Sequence, residues 1–313
     1  MRAFALDAFG QPGSVHDLPE PEPAEGQVRV RVAAASINPF DNAVLQGFLK
    51  DRMEHRFPLI PAGDLAGTVD ALGPKASGFS VGDRVFGVTS KMVLGEGTLA
   101  ELTTASTGSI AKYPGSVSDV EAAALPLAGV SALMSVEAAA LNPNDVVVVV
   151  GASGGIGGYA VQLASARGAH VIGVTSNGNT EYVKSLGADE VIDRMSGEVL
   201  EALKSKHSDG VASIIDTGSD APALALLSEA VRKGGTVTSM KGAAAIEELA
   251  IRGIKGVNLR TQVTTERLEH LVGLMADGKL KAPRIRTFSL EQAGEAFKII
   301  GEGGAHGKLV VKI

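Results

Sequence analysis

Asp145-Val146-Val147-Val148-Val149-Val150-Gly151-Ala152-Ser153-Gly154-Gly155-Ile156-Gly157-Gly158 is the stretch on which the reading of this 313-residue chain turns. Five valines in succession predict a strand buried on both faces, the habit of parallel sheets. A glycine-dense turn follows, and residues 159–167 then carry apolar side chains at helical spacing. Strand, tight glycine turn and helix in that order form the phosphate cradle of a dinucleotide fold. Glycine lets the backbone approach a pyrophosphate closely, and the helix N-terminus offers it unpaired N–H groups and a positive dipole end. Gly151, Ala152, Ser153, Gly154, Gly155, Ile156 and Gly157 are therefore the candidate cofactor-binding residues.

On the carboxyl side the alternation continues. Strands are predicted at 170–174, 190–192, 211–216 and 236–240, and helices at 181–186, 199–206 and 221–233, the last ending at Gly234-Gly235. Repeated βα units of this length imply an α/β fold with a parallel, doubly wound sheet. On the amino side, Ser118-Asp119-Val120-Glu121 is a capping box, and 122–141 reads as helical with a break at Pro126. Residues 1–120 have a different texture, β-rich and punctuated by Pro and Gly. Gln27-Val28-Arg29-Val30-Arg31-Val32 alternates as a half-buried strand should, and Pro19-Glu20-Pro21-Glu22-Pro23 can only be an extended connector. After residue 260 come a helix at 265–276, a second capping box at Ser289-Leu290-Glu291-Gln292 opening a helix to residue 300, and a strand at 308–313.

Bulk properties remove several classes of function. Hydrophobic content of 45% with 20% charged residues is ordinary for a globular chain. A net charge of −6 and no basic run argue against a nucleic-acid surface. No stretch reaches the 18 or more apolar residues of a membrane span, and the N-terminal residues lack the apolar core of a signal peptide. A cytoplasmic location is the expectation. There is no cysteine, so neither a disulfide nor a thiolate metal site can form.

The segments taken together resemble the medium-chain dehydrogenase/reductase superfamily, in its zinc-independent quinone oxidoreductase (zeta-crystallin-like) branch. The resemblance rests on Ile37-Asn38-Pro39-Phe40-Asp41, Ile60-Pro61-Ala62-Gly63-Asp64-Leu65-Ala66-Gly67, Gly82-Asp83-Arg84-Val85, Leu125-Pro126-Leu127-Ala128-Gly129-Val130-Ser131-Ala132, the glycine turn, and Gly307-Lys308-Leu309-Val310-Val311. It implies a GroES-like catalytic domain over 1–120, a Rossmann cofactor domain over 121–260, and a segment 261–313 that returns to the first domain. It also implies a homo-oligomer, a dimer or tetramer.

The cofactor's identity is read about 20 residues beyond the glycines, where an acidic residue would bind the ribose 2′-OH of NAD. Here Val174-Thr175-Ser176-Asn177-Gly178-Asn179 has no carboxylate before Glu181. A 2′-phosphate meets no repulsion there, and Thr175, Ser176 and Asn177 join the candidate contacts, so NADP(H) is expected. Many relatives place a cation where this chain has Asn179, and Arg194 is the expected substitute. Thr217 and Met240 follow later strands at the carboxyl edge and are included as weaker contacts.

Metal ligands are expected to be absent. Zinc-bearing relatives use a Cys and a Gly-His-Glu, whereas this chain has Ala62-Gly63-Asp64 in that region and six histidines scattered with no H-x-x-x-H pair. Without a metal to polarise an alcohol, hydride delivery to an electron-poor acceptor is the better reading, and a quinone or an α,β-unsaturated carbonyl fits. The resemblance puts Ser131 near the nicotinamide and Asn38 near the nicotinamide or acceptor oxygen, with Asp41 beside it. Neither Asn38 nor Asp41 is a clear general acid, and solvent is expected to protonate the reduced oxygen. Val263 resembles a position near the nicotinamide but reads better as a core valine.

Three alternatives compete. An enone reductase with little quinone activity fits the same residues. A short-chain dehydrogenase needs Tyr-x-x-x-Lys, yet Tyr113, Tyr159 and Tyr182 are followed four places on by Val117, Leu163 and Leu186. A non-catalytic, crystallin-like nucleotide-binding protein is opposed by the intact nicotinamide-side residues. With 4% aromatic residues and no Trp, nothing points to a stacking platform for one particular ring system.

Overall fold

The computed structural model describes residues 1–89 and 93–313, apart from the side chain of Asn177. The chain divides into two compact units, Ala128–Gln262 and Met1–Leu127 with Val263–Ile313.

The first of these is built on six parallel strands, Val146–Val150, His170–Thr175, Glu190–Asp193, Val211–Asp216, Val231–Ser239 and Lys255–Asn258. In the sheet they lie in the order third, second, first, fourth, fifth, sixth, the doubly wound order whose direction of winding reverses at the valine strand. Val147, Val148 and Val149 are fully buried. That burial is why the run carries no polar residue: helices cover both faces of such a sheet.

One expectation is corrected here. Residues 231–233 are not helical. The helix ends at Leu227 and a short 3-10 turn spans Ser228–Ala230. The strand then starts at Val231, which pairs with Val211 before the register shifts. The Gly234-Gly235 pair sits in that irregularity and does not close a helix. A Cβ on Gly235 would lie 2.6 Å from the Ala212 carbonyl oxygen, so the glycine is there for close strand packing. The helix Ile246–Ile251 and the strand Lys255–Asn258 also went unanticipated.

The other unit holds a seven-stranded sheet. Its path runs Ile285–Ser289, Lys308–Lys312, Gln27–Ile37, Asp64–Leu72, Arg84–Val88 and Ile110–Lys112, and Leu102–Ser106 also pairs with Gln27–Ile37. The final strand runs antiparallel to Gln27–Ile37, with Leu309 opposite Ile37. The helix Asp119–Ala124 begins with the Ser118–Glu121 capping box and packs on strands of this unit, so the division observed falls after Leu127, not at 120. Val263 is half-buried and not part of the core.

Candidate active site

The glycine elbow occupies the carboxyl end of the valine strand. Gly151 has φ +78°, a left-handed conformation that an L side chain resists, and a Cβ there would come within 2.4 Å of Thr217 Oγ1. Gly154 is the N-cap of the helix Gly155–Ser165. Gly157 packs so tightly that a Cβ would lie 2.1 Å from the Gly151 carbonyl oxygen. Backbone therefore packs against backbone where Gly151 and Gly157 meet. The first-turn N–H groups of the helix have no intrahelical acceptor. Gly154, Gly155 and Ile156 are half-buried, as a surface that receives a ligand must be. These residues fit a dinucleotide pyrophosphate.

The elbow is tied to the next strand. Gly151 and Ala152 donate their N–H groups to the Val174 carbonyl, at 3.0 and 3.1 Å. The buried Thr175 hydroxyl donates to Ser153 Oγ at 2.7 Å. Ser153 and Thr175 thus bond to each other and hold the turn's shape. Beyond Thr175, Asn179 donates to Ser176 Oγ at 2.9 Å, which leaves the Ser176 hydroxyl proton available. Asn177 has its backbone in the 3-10 turn Asn177–Asn179, and its side chain lies outside the described ones. The parallel ladder ends with Thr175 paired to Asp193, and Ser176 and Arg194 are the residues that follow. Arg194 is exposed, in a 3-10 turn that opens with the Asp193 carboxylate accepting from Met195 N–H.

Thr217 donates to the Val150 carbonyl at 2.8 Å, which joins the ends of two neighbouring strands. Beneath it, fully buried Asp216 accepts from Gly218 N–H, Ser219 N–H and the Ser239 hydroxyl. Met240 receives the Ser135 hydroxyl at its sulfur. Ser131 is buried, and its hydroxyl meets the Thr261 hydroxyl at 2.6 Å. Sequence reasoning did not single out Thr261, since 130 residues separate the two.

In the other unit, Asn38 and Asp41 belong to a buried polar cluster that pattern reading did not assemble. Asn38 Nδ2 donates to Asp64 Oδ2 at 2.9 Å, and Asn38 Oδ1 accepts from Lys308 Nζ at 2.6 Å. Asp64 also accepts from the Ser36 hydroxyl and from Leu127 N–H, and Lys308 Nζ lies 3.5 Å from it. Asp41 Oδ2 accepts from Asn38 N–H at 2.7 Å, at the start of the helix Pro39–Leu45. Sheet register makes this cluster: Ser36 is opposite Asp64, and Leu309 is opposite Ile37. The one signal in the sequence is Lys308, a cation opening an otherwise apolar strand.

Burial pushes the Asp41 carboxyl up to about 7; the Asn38 N–H works against this, the nearby Asp64 charge adds to it, and Lys308 opposes it. Burial likewise pushes the Lys308 ammonium below the usual lysine range, against the pull of Asp64 and Asp41. Asp64 faces an ammonium from its own unit, and no imidazole or thiol belongs to the cluster. Its donor set does not fit a catalytic zinc.

The chain matches two family models, described as "Alcohol dehydrogenase GroES-like domain" over residues 24–115 and "Zinc-binding dehydrogenase" over residues 186–311. It is 34% identical over 326 residues to the chloroplastic quinone-oxidoreductase QR1 of Triphysaria versicolor, covering 100% of this chain and 98% of that one. It is 33% identical to the 2-methylene-furan-3-one reductase of Solanum lycopersicum (93% and 73% covered). With the mitochondrial NAD(P)H oxidoreductase RTN4IP1 of Mus musculus the identity is 30% (92% and 82% covered). The solved structure of the quinone oxidoreductase from Coxiella burnetii superposes with a TM-score of 0.90 at 29% identity, covering 100% and 99% of the two chains.

A GroES-like unit and a doubly wound dinucleotide unit in one chain define an NAD(P)H-dependent oxidoreductase. The chain belongs to the medium-chain dehydrogenase/reductase family, in its quinone oxidoreductase branch. The same comparisons correct one expectation: relatives named chloroplastic and mitochondrial point away from a cytoplasmic location.

Proposed function

We propose that the protein transfers hydride from NADPH to a quinone or an α,β-unsaturated carbonyl, with no metal in the step. The observation that supports the NADP reading is the parallel register of Thr175 with Asp193, the residues that immediately precede Ser176 and Arg194 at the carboxyl ends of neighbouring strands. A hydroxyl and a guanidinium there suit a 2′-phosphate, and Arg is the residue best shaped for phosphate. The bound cofactor supplies the hydride. Gly151, Gly154, Gly155, Ile156 and Gly157 present backbone to its pyrophosphate, while Ser153 and Thr175 keep that backbone in shape. Ser131, held by Thr261, is proposed to orient the nicotinamide end. Thr217 and Met240 line the same strand edge.

Asn38 and Asp41 are proposed as positioning residues. Their polar atoms hold the helix Pro39–Leu45 to the strand ends beside Asp64 and Lys308. The resemblance to quinone and enone reductases supports the acceptor class, and a homodimer is the proposed assembly, to be checked by sedimentation. The decisive experiment follows NADPH and NADH oxidation against a panel of quinones and enones, with an alcohol/NADP control. A higher kcat/KM for NADPH than for NADH is expected, with turnover of electron-poor acceptors. Preference for NADH, or turnover of the alcohol alone, would overturn the reading.

A further inference from the structure

The dinucleotide unit has a second cluster of chemically capable side chains, at the edge of the sheet away from the elbow. His170 opens its strand, Glu190 opens the next, and His207 ends the helix Val199–Lys206. The fold thus gathers two histidines that lie far apart in the chain. His170 Nε2 is 2.9 Å from Glu190 Oε1, and His207 Nε2 is 3.4 Å from the same oxygen. One ligand atom from each of the three lies within 4.8 Å of the others. His207 Nε2 is shielded from solvent and makes no hydrogen bond among the described residues. Such a nitrogen has lost its water without gaining a hydrogen bond in exchange.

We infer that His170, Glu190 and His207 form a binding site for a divalent cation of the zinc type. Two imidazole nitrogens and one carboxylate oxygen make a donor set that zinc takes readily, at bond lengths of about 2.0–2.2 Å. Donors held by such bonds in a tetrahedron stand roughly 3.4 Å apart; His207 Nε2 is 3.4 Å from Glu190 Oε1, and His170 Nε2, at 2.9 Å, would move outward slightly to admit the ion. The outer shell is also present. His170 Nδ1 lies 3.7 Å from Asp189 Oδ2, and that carboxylate is itself anchored by the Val171 N–H at 2.8 Å. A carboxylate behind a ligating imidazole fixes the ring and raises its basicity. Lys206 Nζ lies 2.7 Å from Glu190 Oε2. It takes the oxygen that does not face the imidazoles and opposes a second cation by repulsion.

The site is independent of hydride transfer. The strand that begins at His170 ends at Thr175, so five steps of about 3.3 Å, roughly 17 Å, separate the cluster from the cofactor loop. The bound ion joins two strand starts to the end of a helix, and so acts as a staple on the dinucleotide unit.

The test uses the full chain, stripped with chelator and titrated with Zn2+ by calorimetry, with thermal unfolding followed in parallel. One Zn2+ per chain is expected, together with a rise in Tm of at least about 2 °C, since a ligand bound only by the folded state stabilises it. His170→Ala and His207→Gln should each weaken binding at least about tenfold. Lys206→Ala, an exposed change that leaves the three donors in place, should tighten it. Substituted Co2+ should give visible absorption bands in the wild type that His207→Gln abolishes. No stoichiometric binding, or the same affinity in all four proteins, would overturn the assignment.

Discussion

The two units handle polar atoms in opposite ways. In the GroES-like unit, Asn38, Asp41, Asp64 and Lys308 are buried and turned toward one another, so each charge or amide is answered from inside. At the elbow of the dinucleotide unit the side chains are nearly absent, and helix N–H groups are left for an outside anion. The first arrangement stabilises a geometry and the second receives a ligand. Residue type alone would suggest the reverse, because carboxylates and lysines look like chemistry and glycines look like filler.

Removing a partner from the closed cluster should give the largest effect. Lys308→Met leaves Asp64 without its buried counter-ion, which costs on the order of 3–5 kcal/mol; a drop in Tm of many degrees is expected, with loss of soluble protein at 37 °C. At the elbow, Gly157→Ala must displace the Gly151 carbonyl, and NADPH affinity should fall more than about 100-fold. Fluorescence titration of a variant with near-wild-type circular dichroism checks this. A Gly157→Ala protein that binds normally would break the contrast.

The closed cluster also makes a pH prediction. Asp41 has a folded pKa of about 7 against an ordinary value near 3.8. Between those values the folded state binds more protons than the unfolded one, so stability from this group is lost as pH rises through the window and is constant above it. Asp41→Asn keeps an acceptor for the Asn38 N–H but cannot ionise. Its Tm should exceed the wild type's at pH 8, and the gap should close toward pH 4. A gap that widens at low pH would show that Asp41 is held ionised.

Two smaller changes sharpen the open site. Arg194→Ala should raise the KM for NADPH about tenfold, as expected for one charge-assisted contact, and leave that for NADH unchanged. Ser131→Ala removes the bond to Thr261 and should slow hydride transfer a few-fold, which a primary isotope effect with deuterated NADPH would read. Equal turnover would take Ser131 out of the site.

Much of the dinucleotide unit was legible because its signals are local. The helix Val199–Lys206 and the strand Val211–Asp216 have the bounds that periodicity implies, as does the helix Thr265–Ala276 in the other unit. The elbow announces itself through one strand and one helix. Residues 231–233 misled because an apolar helical spacing ran straight into a glycine pair, and only sheet pairing with Val211 shows that the pair marks a bulge. The buried cluster was not legible at all as a cluster. Asn38 and Lys308 are 270 positions apart, and only antiparallel pairing of the last strand with Gln27–Ile37 makes them neighbours. His170 and His207 were likewise read as isolated residues, since the segment between them is a strand, two helices and another strand.

That last strand has a consequence for how the protein is made. The dinucleotide unit is one uninterrupted segment and can fold on a nascent chain as soon as residue 262 clears the ribosome. The other unit is begun first and completed only afterwards: the Asp64 carboxylate stays without its counter-ion until Lys308 is translated. A stop codon at position 308 would therefore spare the nucleotide fold and leave its companion without the Lys308 ammonium and the strand Lys308–Lys312.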